Sequence, residues 1–119
     1  MTHSHGVDVL ADLREPARAL RSAIPQVYAG FSELHKAALA GGVVDAKTKE
    51  LIALALSVAS HCDGCIASHA RGAAMHGATP EEVAESIGVT LLMEGGPATV
   101  YGPRAYAAFL EFHEKYAKD

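Results

Sequence analysis

Helix starts and stops recur along this chain at short intervals, and no sustained two-residue alternation of apolar and polar side chains gives a strand anything to build on. The sharpest start is Thr79-Pro80-Glu81-Glu82. Thr79 offers a capping oxygen, Pro80 suits a first helical position that needs no N–H, and Glu82 sits where it can bond back to the cap. Pro25 and Pro97 are similar openings, and Asp45 is a capping carboxylate. Gly41-Gly42, Gly77 and Gly95-Gly96 are stops. Helices are expected over about 9–21, 25–39, 46–60, 62 or 63–76, from 80 to the Gly95 stop, and from 97 to about Lys118. Pro16 and Gly102-Pro103 are candidate kinks. The expectation is an all-α, single-domain bundle of about six helices over 9–119, with a short disordered lead over 1–8.

The expected apolar stripes are Leu10, Leu13, Ala17 and Leu20, then Val27, Phe31, Leu34 and Ala38. Leu51, Leu54, Ala55 and Val58 continue them, followed by Val83, Ile87, Leu91 and Leu92. Apolar residues are 50% of the chain but aromatics only 6%, so much of the apolar content is alanine. Alanine-rich helices leave flat apolar faces, and some of that surface is expected to bury another subunit. A net charge of −4 gives no basic footprint for nucleic acid. No apolar run approaches the roughly 18–20 residues that span a bilayer, and no secretory signal is visible. A cytoplasmic location without nucleic-acid or membrane partners is therefore expected.

Chemistry concentrates between Glu50 and His69. Glu50 is followed by eleven residues and then Cys62-Asp63-Gly64-Cys65-Ile66-Ala67-Ser68-His69. These are the only two cysteines. Cys65 and His69 stand four apart, about 40° around a helix axis, and so share a face. Cys62 falls at a helix N-terminus, where free N–H groups and the dipole favour a thiolate. A close thiol pair, an imidazole and a carboxylate together read as a proton-relayed dithiol/disulfide centre, with Glu50 holding His69 if their helices pack antiparallel. On helix position alone Cys62 is the nucleophile, whereas the histidine partner favours Cys65.

The pattern Glu-x11-Cys-x2-Cys-x3-His resembles the alkylhydroperoxidase D-like proteins of the carboxymuconolactone decarboxylase superfamily. The resemblance extends through Ala73, His76-Gly77-Ala78, Thr79-Pro80-Glu81-Glu82 and Gly95-Gly96-Pro97-Ala98, and covers about 31–112. It implies a small all-helical subunit in a homotrimer or homohexamer. It implies no bound cofactor, a redox-active Cys62–Cys65 disulfide, and an external lipoyl- or thioredoxin-type reductant, often of dihydrolipoamide type. The substrate implied is a small hydroperoxide or a protein disulfide. Glu50, Cys62, Cys65 and His69 would be the catalytic residues, with Cys65 attacking and Cys62 resolving. The decarboxylase branch generally lacks the cysteine pair, so its presence speaks against lactone decarboxylation.

Plainer readings stand beside these. Cys62 and Cys65 can be small core residues. With His69, and His61, His76 or Glu50, they can be zinc ligands, although a structural site wants four. Glu50 can be a surface carboxylate paired with Lys47 or Lys49. A decarboxylase-type acid/base enzyme using Glu50 and His69, or a redox-sensing or zinc-stabilised interaction module, are the competing functions. His61 is a loop histidine able to lower the Cys62 pKa, while His35, His76 and His113 read as surface or interhelical groups. Tyr101, Tyr106 and Phe109 read as packing or subunit contact, Met75 and Met93 as core filler.

Overall fold

A computed structural model describes residues 3–116. Six α-helices follow one another: α1 (Val7–Ala23), α2 (Pro25–Leu39), α3 (Ala46–Ala59), α4 (Asp63–Met75), α5 (Pro80–Glu94) and α6 (Ala98–Tyr116). No strand occurs among the described residues. The expected end of the last helix near Lys118 lies outside them, as do residues 1 and 2 of the expected lead.

Boundaries follow local chemistry. Asp45 Oδ1 accepts the Thr48 N–H at 2.8 Å and starts α3. At α5 the Thr79 N–H donates to Glu82 Oε1 at 2.9 Å, and the Glu82 N–H returns to Thr79 Oγ1 at 3.1 Å. The second oxygen of Glu82 holds the Lys47 ammonium at 2.9 Å, so the cap of α5 is tied to the first turn of α3. Helix α1 starts at Val7, earlier than expected, because Ser4 and Asp8 cap each other through two 2.9 Å bonds. The expected lead is therefore helical from residue 7. Pro16 and Pro103 sit inside uninterrupted helices and face solvent, where the carbonyl that loses its donor reaches water.

Helix α4 is the axis of the bundle. Ile66, Ala67, Ala70, Ala73 and Ala74 are buried at helical spacing, packed chiefly against α6 and α3. Small side chains bring the backbones close enough for large residues on the neighbours to fill the remaining space. Those are Leu54 and Val58 of α3 and Phe109 and Phe112 of α6, and Val83 and Ile87 of α5, which packs on α3 and α6, join the same core. Gly102, a candidate kink by sequence, is instead a close-packing point: a Cβ there would meet Ile87 Cγ2 at 3.0 Å.

Helices α1 and α2 are arms laid on this core. Neither buries a single residue, and the backbone of α2 comes close only to α1 and α3, reaching α4 through the side chain of His35. The stripe of Val27, Phe31 and Leu34, expected to face a core, is 66%, 59% and 63% exposed. Leu92, Met75 and Met93 also lie in solvent rather than filling the interior. The surface area is 7315 Å², against about 6100 Å² for a compact monomer of this mass.

The Glu82 carboxyl titrates below its usual range because it accepts from Lys47 and from Thr79, and Asp45 is lowered by its Thr48 bonds. Both groups therefore bind protons less readily folded than unfolded. Their stabilisation is present above the ordinary carboxylate range near pH 4 and is lost as pH falls through the depressed values. A Glu82→Gln, Asp45→Asn double variant is expected to show a shallower acid limb in urea midpoint against pH. An unchanged limb would mean these caps do not govern acid unfolding.

Candidate active site

The turn between α3 and α4 delivers the first cysteine. The Cys62 N–H bonds the Ser57 carbonyl at 3.2 Å and the His61 N–H bonds Val58 at 3.1 Å, a paired closure that ends α3 at Ser60. Such a stop needs a left-handed residue, usually glycine. Here it is His61, with φ of 56°. Its ring lies flat on Tyr101 of α6, with centroids 4.5 Å apart and planes at 8°. Tyr101 also receives the Arg104 guanidinium at 4.8 Å, and Arg104 reaches the Asp63 carboxylate at 3.7 Å. Both ends of the short cysteine turn, His61 and Asp63, are thus anchored to α6.

Cys62 is the residue on which α3 closes and also the N-cap of α4, where its Sγ accepts the Cys65 N–H at 3.2 Å. The sulfurs of Cys62 and Cys65 are joined as a disulfide, with Cα atoms 5.2 Å apart. Cys65 is exposed and Cys62 half-buried. Of the two sulfurs, that of Cys62 is the one held by a backbone N–H at the helix N-terminus.

Glu50 and His69 come together across the antiparallel pair α3 and α4. His69 Nδ1 lies 2.8 Å from Glu50 Oε1, and the two side chains are 19% and 9% exposed. A carboxylate this deep needs a partner to offset its lost hydration. The contact engages Nδ1 and leaves Nε2 as the ring nitrogen not used by the carboxylate. Gly72 makes room for the pair, since a Cβ there would overlap the Glu50 carboxylate. Glu50 is thus neither a surface group nor a partner of Lys47 or Lys49: Lys47 holds Glu82 and Lys49 donates to the Ala40 carbonyl.

Of the contacts the expected relay calls for, the structure holds the one between Glu50 and His69. Among the described residues, no hydrogen bond joins His69 to either sulfur in this disulfide-closed state. No group of three or more His, Cys, Asp or Glu among them is arranged to hold a metal ion. His76 bonds the Gly72 carbonyl at 2.9 Å, and His113 stacks on Phe109 at 5.4 Å. The missed partner is His35 of α2, whose ring lies parallel to that of His69, with centroids 5.9 Å apart and planes at 17°. Gly72 was also unread. Its only local signal is a glycine inside a helical pattern, a choice that costs about 1 kcal/mol against alanine and so asks for a tertiary reason.

Known proteins resemble this chain in sequence and in fold. The family model described as Carboxymuconolactone decarboxylase family matches residues 25–109, from the start of α2 into α6. An uncharacterised protein of Cupriavidus necator is 38% identical over 100 residues, 84% of this chain and 88% of its own. A second, uncharacterised protein 4 in the cox locus of Paracoccus denitrificans, is 38% identical over 81 residues, 68% of this chain and 73% of its own. The crystal structure of an apo carboxymuconolactone decarboxylase family protein from Legionella pneumophila superposes with a TM-score of 0.85 at 41% identity. That match covers 88% of this chain and 94% of the other. The all-helical bundle and the sequence matches agree, and the chain belongs to the carboxymuconolactone decarboxylase family.

Proposed function

We propose that the chain is a thiol-dependent oxidoreductase that reduces a hydroperoxide, or a protein disulfide, through Cys62 and Cys65, with Glu50 and His69 moving the proton. The observation that carries this reading is the pairing of an exposed Cys65 with a half-buried Cys62 seated as a helix cap, one turn from a histidine held by a buried carboxylate. In the oxidising half, the Cys65 thiolate attacks the terminal peroxide oxygen and the O–O bond breaks. The alkoxide takes a proton by way of His69 and leaves as alcohol, with Cys65 now a sulfenic acid. The Cys62 thiolate attacks that sulfur, hydroxide leaves and is protonated to water, and the disulfide forms. In the reducing half, one thiolate of a lipoyl- or thioredoxin-type dithiol attacks Cys65 and expels Cys62 as a thiolate, which the helix N-terminus stabilises. The second donor thiol closes the donor's own disulfide, and its two protons restore both cysteines.

Peroxide consumption with dihydrolipoamide, with thioredoxin and with neither tests the cycle. Turnover is expected with a dithiol donor only, and is lost in Cys65→Ser. Cys62→Ser is expected to react once and accumulate sulfenic acid or a mixed disulfide on Cys65. Acid/base turnover that survives alanine at both cysteines would place the chain with the lactone enzymes instead.

The relay is tested by alkylation rate of the reduced protein against pH, with mass spectrometry to place the label. Cys65 is expected to stay reactive below the free-thiol pKa of about 8.5. His69→Ala moves that profile to higher pH. Gly72→Ala, which displaces Glu50, slows turnover about 10²-fold while the thiol profile moves less. First labelling at Cys62, unaltered by His69→Ala, would assign the attack to Cys62.

Assembly into a trimer or hexamer belongs to the same reading. It is supported by two helices without a buried residue and by the exposed Val27, Phe31 and Leu34 stripe. Light scattering at micromolar concentration is expected to give a multiple of the 12.4 kDa chain mass; a monomeric mass would overturn it.

A further inference from the structure

The groove between α1, α2 and α4 carries cationic chemistry that the thiol cycle leaves unused. It encloses about 850 Å³ and opens to solvent. Arg21 at the end of α1 and Arg71 on α4 line it, with Tyr28, Ser32 and His35 of α2. The last three stand at i, i+4 and i+7 and share one helix face, distinct from the Val27, Phe31 and Leu34 stripe except where Phe31 reaches both. No Asp or Glu lines the groove, although the chain as a whole carries a charge of −4. Among the described residues neither arginine is ion-paired, whereas Arg18, Lys47 and Arg104 each hold a carboxylate. The Arg21 guanidinium lies 5.9 Å from the centre of the Tyr28 ring. His35, in the same lining, stacks on His69.

Two unpaired guanidiniums flanked by a phenol and a serine hydroxyl form a donor-rich, acceptor-poor wall, the chemistry that recognises a carboxylate. The rings of Tyr28 and Phe31 add apolar surface for a short chain. We propose that this groove binds the carboxylate end of an organic hydroperoxide, with Arg21 and Arg71 on the anion and the apolar chain along α2 beside His35; as a substrate assignment it rests on the thiol-peroxidase reading above. The reaction is the one already balanced, giving the hydroxy acid and water from the hydroperoxy acid while the cysteine pair is oxidised.

Binding is measured on the oxidised protein by titration calorimetry, with octanoate as probe and octanamide as its neutral control. Octanoate is expected to bind at least about tenfold more tightly than the amide, and an Arg21→Gln, Arg71→Gln double variant to lose that difference. Ser32→Glu, which adds a carboxylate to the lining from an exposed position, is expected to lose it as well. This keeps the test decisive if the arginine variant does not fold. Equal binding of acid and amide overturns the groove, as does complete displacement of octanoate by equimolar inorganic phosphate. In turnover, the wild-type protein is expected to favour linoleic acid hydroperoxide over its methyl ester about tenfold in kcat/KM. If cumene hydroperoxide is consumed but acid and ester are treated alike, the groove assignment fails and the thiol chemistry stands. If no hydroperoxide is consumed while octanoate binds in an arginine-dependent way, the peroxidase reading fails and the carboxylate site stands.

Discussion

The buried contact between Glu50 and His69 is the constraint on which the rest of the architecture rests. A carboxylate removed from water is tolerated only with a close, well-aimed donor, and its partner sits nineteen positions along the chain on another helix. Satisfying it fixes the approach of α3 to α4 and the rotation of each about its axis. Gly72 is the residue that lets that approach happen, because the space a side chain would occupy is filled by the carboxylate itself. The alanine face of α4 then receives Leu54 and Val58 on one side and Phe109 and Phe112 on the other. The polar pair and the apolar packing demand the same helix spacing, which is the consistency that a single native arrangement requires.

The cysteine turn shows a second economy of geometry. Three residues, 60–62, end one helix and begin the next, and Cys62 takes part in both closures. The strain of a left-handed histidine is accepted there, and His61 is seated on Tyr101 rather than left in solvent. Asp63 is held on the opposite flank by Arg104. The sulfurs are therefore carried by backbone whose position is set by α6, a helix that contributes no atom to the cysteine pair itself.

What could be read from the amino-acid order divides by the range of the interaction. The caps at Asp45 and Thr79 were legible because their partners lie three residues away, and the helix order followed from them. The meeting of Glu50 with His69 needed the spacing and the family resemblance together, since nothing local distinguishes Glu50 from a carboxylate paired with a neighbouring lysine. His35 was not legible, because its role depends on where α2 lies against α4. Periodicity also said which faces of α2 and α5 are apolar without saying what covers them. Phe31, Leu34 and Leu92 fit a buried stripe as sequence and are exposed in the folded chain. Gly102 read as a break for the same reason, and Gly72 carried no reading at all, while here both permit close approach.

The contrast between α4, with five buried residues, and the two N-terminal helices, with none, fixes how local stability is distributed. Amide hydrogens in a segment that opens without exposing core exchange with solvent at little free-energy cost, while those whose exposure needs global unfolding are the slowest. In an isolated subunit the protection of the α4 amides therefore tracks the stability of the whole bundle, and that of α1 and α2 tracks only their own docking. His35 sits on the labile side of that divide and His69 on the stable side. In that isolated subunit the ring contact between them is accordingly a junction between a segment that opens without exposing core and one that does not.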